Sequence, residues 1–435
     1  MDKRAAAPDV DALVGAFDEI ASIGSVAQLG VTRLAASAED GQARAAFAAW
    51  MLKAGARMAH DAIGNQFACF DWAGADAPWI FAGSHLDTQP QGGRFDGALG
   101  VVTAGCVAMA LDAARRSGAF RPLLNLAVVN WTNEEGARYQ PSLTGSSVFS
   151  GALALEAGLC HRDGNGISLG EALAGIGVDG VKGRVPPRPR AYVELHAEQG
   201  KKLIEAGRRI GVVEGTWAAR KMTATWIGRA AHTGPTPMAE RRDALLAAAR
   251  AIAGFEAVIA DKWPHLHRSA ARLVIEPNSP NVVVERATVW FELRHPATAD
   301  LEAAGEAVRA LFAQVARDTG TRLDISADAV RAPAAMDRDL AELARQSAHQ
   351  CGLEPLAMAS VAGHDAVALQ NSGIASALIF VPSVGGVAHH PDELTEVGDM
   401  QAGMAVLDAF LRRLLEDAGA ADAPAMNPQE ERHGI

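Results

Sequence analysis

Five segments carry the residue types that could do chemistry. They are His85-Leu86-Asp87, Asp96 in GGRFDGALG, Glu134-Glu135, His196 in ELHAEQG and His389 in GVAHHPDE. Each follows a strand-like run. Histidines combined with carboxylates suit borderline divalent ions such as zinc, manganese, cobalt or nickel. A carboxylate can bridge two such ions, and a pair about 3.5–4 Å apart can activate a shared water. An aspartate two residues past a ligating histidine can accept that ring's other N–H. Neighbouring glutamates at a strand end point different ways, because side chains alternate, so one can ligate while the other acts as a base. Singly, each segment reads equally well as structure: a core histidine, a solvated Glu-Glu face, or a plain turn at Gly92, Gly93, Gly97 and Gly100. As a set they supply the parts of a dinuclear hydrolase.

The elements that must position these groups alternate in type. Residues 10–60 read as helical, followed by short strands at 65–72 and 79–82, a helix over 101–115 and an apolar strand at 123–129. That order predicts a mainly parallel α/β sheet with functional groups at the carboxyl ends of its strands. From Arg220 the order becomes β-α-β-β-α-β, with strands at 220–227, 272–275, 288–294 and 322–326 and helices at 242–260 and 300–318, which predicts a ferredoxin-like α+β insert. A helix at 339–350, a buried strand at 375–381 and a closing helix at 400–415 complete the first layer. The expected divisions are 1–212 and 330–417 for a discontinuous catalytic domain, 213–329 for an inserted lid and dimerisation domain, and 418–435 for a mobile tail.

Composition limits the function classes. With 435 residues the expectation is two or three domains. A formal net charge of −11 argues against a nucleic-acid partner held by counterion release. Cys69, Cys106, Cys160 and Cys351 form no CxxC pair, which disfavours a disulfide framework and a cysteine-based zinc site. The N-terminus lacks an apolar signal core, and no 18 apolar residues run unbroken. The expectation is a cytoplasmic protein with no membrane partner.

Seven longer motifs carry a resemblance: GSHLDTQPQGGRFDGALGV, VVNWTNEEGARY, ELHAEQG, GRAAHTGPTPMAERRDAL, NVVVERATVWFELRHP, VAGHDA and GVAHHPDE. In this order they resemble the metal-dependent amidohydrolases of the M20 superfamily, specifically the hydantoinase/carbamoylase branch. The likeness covers about residues 10–415 and implies two divalent ions per subunit, zinc first among the candidates. It places His85 and His196 on one ion, Asp96 between the two, and Glu135 with His389 on the second. Glu134 is the implied general base, and Asp87 the group that orients His85. His389 matches the family's His-x-Pro register, with His390 beside it as the alternative. The resemblance further implies that His232 reaches a neighbouring protomer's site to stabilise an oxyanion, that Asn281 and Arg294 bind the substrate's carboxylate, and that Gln199 contacts its polar end. A homodimer through the inserted domain follows. His364-Asp365 matches a family signature without an assigned role.

Three positions depart from the family pattern: Glu292 where aspartate is usual, Thr233 where alanine is common, and Tyr139 where phenylalanine is more frequent. None removes a ligand or the base. The implied activity is hydrolysis of the carbamoyl C–N bond of N-carbamoyl-L-amino acids or N-carbamoyl-β-alanine. Allantoate hydrolysis is the nearest alternative, followed by an M20 peptidase or aminoacylase and by a non-catalytic metal-binding protein.

Overall fold

The structure is a computed structural model and describes residues 8–26 and 30–417. The expected mobile tail, 418–435, lies outside the described residues. In chain order the strands are β1 (Arg57–His60), β2 (Gln66–Phe70), β3 (Trp79–His85), β4 (Asn125–Trp131), β5 (Ala191–Ala197) and β6 (Gly211–Thr216). They continue as β7 (Ala218–Ile227), β8 (Ala231–His232), β9 (His267–Glu276), β10 (Val282–Val283), β11 (Arg286–His295) and β12 (Arg322–Arg331), and end with β13 (Leu356–Ser360) and β14 (Ala375–Val381).

The described residues divide into two compact units, one within residues 8–214, 335–358 and 363–417, the other of 215–334 with 359–362. The second unit therefore begins and ends later than the 213–329 read from sequence. The reason is β12, which continues past 326 to Arg331 as the antiparallel partner of β7.

An eight-stranded sheet in the order β1-β2-β4-β3-β5-β14-β6-β13 organises the first unit. Its central strands β4, β3, β5 and β14 are parallel, while β1, β2 and β6 pair antiparallel. All seven residues of β3, β4 and β5 are buried, as expected of a sheet covered on both faces. On one face Ile80, Ala82, Leu126, Val128, Val193 and Leu195 pack against the helix Ala98–Arg116 and its neighbours. On the other, Phe67, Phe81, Trp131, Tyr192 and Phe380 form an aromatic layer. The helix Ala98–Arg116 is apolar and long enough to cross a bilayer, yet 78% of its most apolar window is buried within the fold.

The continuous helical reading of residues 10–60 needs correction. Two helices, Val10–Ser22 and Ala38–Lys53, are followed by strand β1. Gly55 takes φ +89, a left-handed conformation that ends the second helix and turns the chain toward the sheet.

The second unit is a four-stranded antiparallel sheet in the order β12-β7-β11-β9. Helices Ala244–Ala260 and Thr298–Thr319 contribute to one core with it, in which Trp226, Phe255, Phe291 and Phe312 meet. Along β7, residues 218, 222, 224 and 226 enter that core and the odd-numbered positions face away. A separate two-stranded ribbon pairs β8 with β10.

Candidate metal centre

His85 closes β3 and His196 is the penultimate residue of β5. Because these strands are parallel neighbours, their carboxyl ends share one edge of the sheet. The His85 Nδ1 pairs with the backbone oxygen of Asp87 at 2.9 Å, and His196 Nδ1 with that of Ala197 at 2.9 Å. Both contacts fix Nδ1 as the donor and turn Nε2 inward. Asp96 stands just before the helix Ala98–Arg116, and Gly97 adopts φ +66. A Cβ on Gly97 would lie 2.4 Å from the His85 ring, so only glycine lets the imidazole pack there.

The Asp96 carboxylate faces two ways. Its Oδ1 lies 3.1 Å from His196 Nε2 and 3.6 Å from His85 Nε2, while its Oδ2 lies 3.2 Å from His389 Nε2. His389 Nε2 also approaches Glu135 Oε2 at 3.4 Å. Two donor sets thus converge, His85–Asp96–His196 and Asp96–Glu135–His389, each with its candidate atoms within 4.8 Å of one another. Glu134 belongs to neither set: its carboxylate is buried, with Oε2 3.6 Å from His85 Nε2.

His390 faces elsewhere. Its Nδ1 accepts the Asp392 N–H at 3.1 Å, and the ring takes no part in either donor set. His389 holds φ +54, the backbone twist that accompanies its turn toward Asp96.

Asp87, the residue expected to orient His85, meets it through the main chain. The backbone carbonyl of Asp87 meets His85, while its carboxylate stands 3.8 Å from the ring. That carboxylate instead accepts the backbone N–H groups of Glu134 and Glu135, at 3.2 and 3.3 Å. Asp87 therefore holds His85 through its backbone carbonyl and the Glu-Glu turn through its carboxylate. The Gln199 side-chain amide donates to Asp96 Oδ2 at 2.7 Å. A short amide reaches the nearby carboxylate because Gln199 sits in a left-handed turn, φ +58.

The electrostatics call for cations. Burial pushes the Glu134 carboxyl well above the usual range, and Asp365, Glu135 and Asp96 add to the effect against His85. Burial, reinforced by Asp96, lifts Glu135 to about 7. Burial alone would raise Asp96, but hydrogen bonds from His196, His389 and His85 hold it well below the usual carboxylate value. Burial disfavours charge on His85, yet Glu134, Asp96 and Asp87 outweigh it and raise the imidazole well above its ordinary value. His389 is pushed up to about 9, chiefly by its hydrogen bond to Asp96. Protons on these rings occupy the electrostatic role that divalent ions fill, and a set of imidazoles and carboxylates with one shared aspartate fits two borderline ions.

Two buried carboxylates here were not singled out from sequence. Glu393 accepts the N–H groups of Phe95 and Asp96 at 3.0 and 3.1 Å, tying the His389 segment to the loop that carries Asp96. A Cβ at Gly93 would lie 1.8 Å from this carboxylate. Burial and Asp96 lift Glu393 to about 8. Glu194, two residues before His196, accepts Ser84 Oγ–H at 2.6 Å and Ala366 N–H at 2.8 Å. The ring of His364 packs edge-on against His196 at 4.6 Å, and Asp365 is fully buried. That places the His364-Asp365 signature behind His196, a candidate ligand.

His232, Asn281 and Arg294 belong to the second unit. His232 and Asn281 are adjacent: Val282 pairs with His232, and Thr233 N–H donates to the Asn281 carbonyl at 3.2 Å. Both residues are exposed. Arg294 lies at the far end of β11, eight residues beyond Arg286, so about 26 Å of strand separates the two regions. Within one chain Asn281 and Arg294 therefore lie in separate regions of the second unit.

Residues 81–413 match the family model described as peptidase family M20/M25/M40. An N-carbamoyl-L-amino-acid amidohydrolase of Rhizobium meliloti is 33% identical over 390 residues, covering 88% of this chain and 91% of that one. An allantoate amidohydrolase of Bacillus subtilis is 32% identical, covering 91% and 95%. Among solved structures, a hydantoinase/carbamoylase family amidase from Burkholderia vietnamiensis superposes with a TM-score of 0.88 at 35% identity, covering 96% of this chain and all of that one. The chain belongs to the M20/M25/M40 peptidase family, as an amidohydrolase akin to the hydantoinase/carbamoylase amidases.

Proposed function

We propose that this chain hydrolyses the carbamoyl C–N bond of an N-carbamoyl-L-amino acid or N-carbamoyl-β-alanine, giving the amino acid, ammonia and carbon dioxide. The observation that carries the reading is the pair of donor sets sharing Asp96, with the unshared carboxylate of Glu134 buried beside His85. His85, His196 and Asp96 would hold one divalent ion, and Asp96, Glu135 and His389 the other. When bound, such ions acidify water and polarise a carbonyl. Glu134 removes the proton from the attacking water and delivers it to the departing nitrogen. A carboxyl raised by burial has the basicity that task needs.

His232 meets the developing oxyanion. Arg294 pairs with the substrate's carboxylate, which positions the ureido carbon. Because His232 and Asn281 lie together and far from Arg294, we assign the first two to a neighbouring protomer and Arg294 to the chain that holds the ions. This requires a homodimer. Strand β9 supports it, as an edge strand of ten residues with Leu273 and Val274 exposed, the kind of edge that pairs with another chain.

The test is ammonia release by metal-loaded protein from N-carbamoyl-β-alanine, several N-carbamoyl-L-amino acids, allantoate and an N-acetyl amino acid, with and without chelator. Chelator-sensitive turnover of a carbamoyl amino acid supports the reading. Turnover of allantoate alone moves the activity to ureide breakdown, the reaction named for the Bacillus subtilis relative. Turnover of the N-acetyl compound alone defeats it.

A further inference from the structure

The second unit's sheet carries charges on the face turned away from its helices. Arg220 marks the helix side: its guanidinium donates to Glu302 O, and a Cβ on Gly305 would collide with it. Its neighbour Ala219 points the other way. The register pairs Ala219 with Arg294 on one side and with Arg331 on the other. Directly paired residues of an antiparallel sheet share a face, so the two arginines flank one alanine, with Cα atoms about 10 Å apart. Ala219 offers no bulk to keep the guanidiniums from closing on a common ligand.

The charges around this row do not balance. Glu292, the departure from the family's aspartate, ion-pairs with Arg294 at 2.9 Å and stands 4.0 Å from Lys221. Arg294 also donates to Val361 O at 2.7 Å. Arg331 has no such partner: its Nε is buried and makes no hydrogen bond among the described residues. An unmet buried donor is destabilising, the more so on a charged group. Burial and the nearby Arg294 both pull Arg331 below its ordinary value, against Glu292. Arg294, Arg331 and Lys221 outnumber the one carboxylate of Glu292 on this face, so positive charge remains to be met, and a substrate carboxylate supplies a counter-charge.

We propose that Arg331, facing Arg294 across Ala219, completes a two-guanidinium site for the substrate's carboxylate, so that this chain takes a ureido acid by both arginines. The inference rests on the ureido-acid reading above and extends it from one carboxylate-binding residue to two. Glu292 holds Arg294 in place and sets the charge of the site, which favours a monocarboxylate over an uncharged amide.

Calorimetry on the metal-loaded full chain tests it, with Glu134→Gln present to prevent turnover and N-carbamoyl-L-alanine and its carboxamide as probes. Adding Arg331→Gln should weaken the acid about tenfold and leave the amide within about twofold. Arg331→Lys should recover part of the loss, because it restores charge without the guanidinium fork. With Glu134 intact, Arg331→Gln should raise KM for the acid while kcat stays within about twofold. Unchanged acid affinity in Arg331→Gln, or equal losses for acid and amide, overturns the site. If the parent protein turns over no ureido compound, yet Arg331→Gln still removes its preference for acid over amide, the site stands and the ureido reading falls. Turnover with that preference untouched sinks the site alone. Absence of both turnover and acid binding removes both.

Discussion

The candidate metal centre and the second unit's proposed substrate-facing residues are built on different plans. In the first, almost every functional side chain is buried and held by a second group: Nδ1 of His85 and His196 by carbonyls, Glu134 and Glu135 through Asp87, Asp96 through Glu393 and Gln199. In the second, His232 and Asn281 lie exposed on a two-stranded ribbon, and Arg331 keeps a donor unused. A site that concentrates carboxylates must be braced, because each one destabilises its neighbours until cations arrive. Residues proposed to meet a substrate or a second protomer need less bracing in the isolated chain, since their partners come with the complex; Arg294, held by Glu292 and Val361 O, is the exception. A rigid centre and an incomplete recognition surface are thus the expected division of labour.

The sharpest way to break that comparison is to remove the base and leave its bracing. Glu134→Gln keeps the shape and the backbone contact to Asp87, so both ions should stay bound while turnover falls by about 10²–10⁴. Metal analysis beside an ammonia assay reads both. Retained activity would show that Glu134 is only another structural carboxylate.

The next effect concerns the exposed surface. His232→Ala should lower kcat by about 10²–10³ with little change in metal content. If His232 acts across the dimer, mixing the inactive Glu134→Gln and His232→Ala chains should restore about a quarter of wild-type activity through mixed dimers. No recovery on mixing, or full activity in a protein that sediments as a monomer, would end the assignment in trans.

A smaller effect follows from the crowded carboxylates. Glu393 at about 8 and Glu135 at about 7 are both raised above their ordinary values. A raised group favours the protonated folded state, so its contribution is complete below the unfolded pKa and drains away as pH climbs to the folded one. The metal-free protein should therefore lose about 3–5 kcal/mol between about pH 4.5 and 8, since each pKa unit is worth about 1.4 kcal/mol and the groups are coupled. Divalent ions should flatten the loss and release protons as they bind. Denaturant midpoints at several pH values, with chelator and with metal, measure it. Equal stability of the chelated protein at both ends of the window would contradict this account of the centre.

What could be read from sequence follows the same division. The candidate ligands stood in long motifs at strand ends, and the period of apolar runs located β3, β4 and β14. Glu393 was illegible because HHPDEL reads as a surface turn; its burial comes from the backbone of Phe95 and Asp96, 298 and 297 residues away. Arg331 was illegible for a related reason. Only the register of β12 on β7 places it level with Arg294, and nothing local in ADAVRAP fixes that register. The break at Gly55 was missed because an alanine-rich stretch outweighs one glycine when helical pattern alone is counted.

The least effect is expected at His390, and it sharpens the comparison most cheaply. Two adjacent histidines, both substantially exposed, differ only in where the backbone aims them. His389 holds φ +54, a conformation that costs a non-glycine residue about 1–3 kcal/mol and persists where surroundings enforce it. Its ring meets Asp96 and Glu135, whereas that of His390 meets only its own turn at Asp392. His390→Ala should leave metal affinity and turnover within about twofold, because a surface substitution away from bracing contacts changes stability by about 0.5 kcal/mol or less. His389→Ala should lose tight binding of one ion and keep the other on His85, His196 and Asp96. Equal losses in the two variants would mean that the segment swings either ring into place, and that this corner of the centre is no more rigid than the recognition surface.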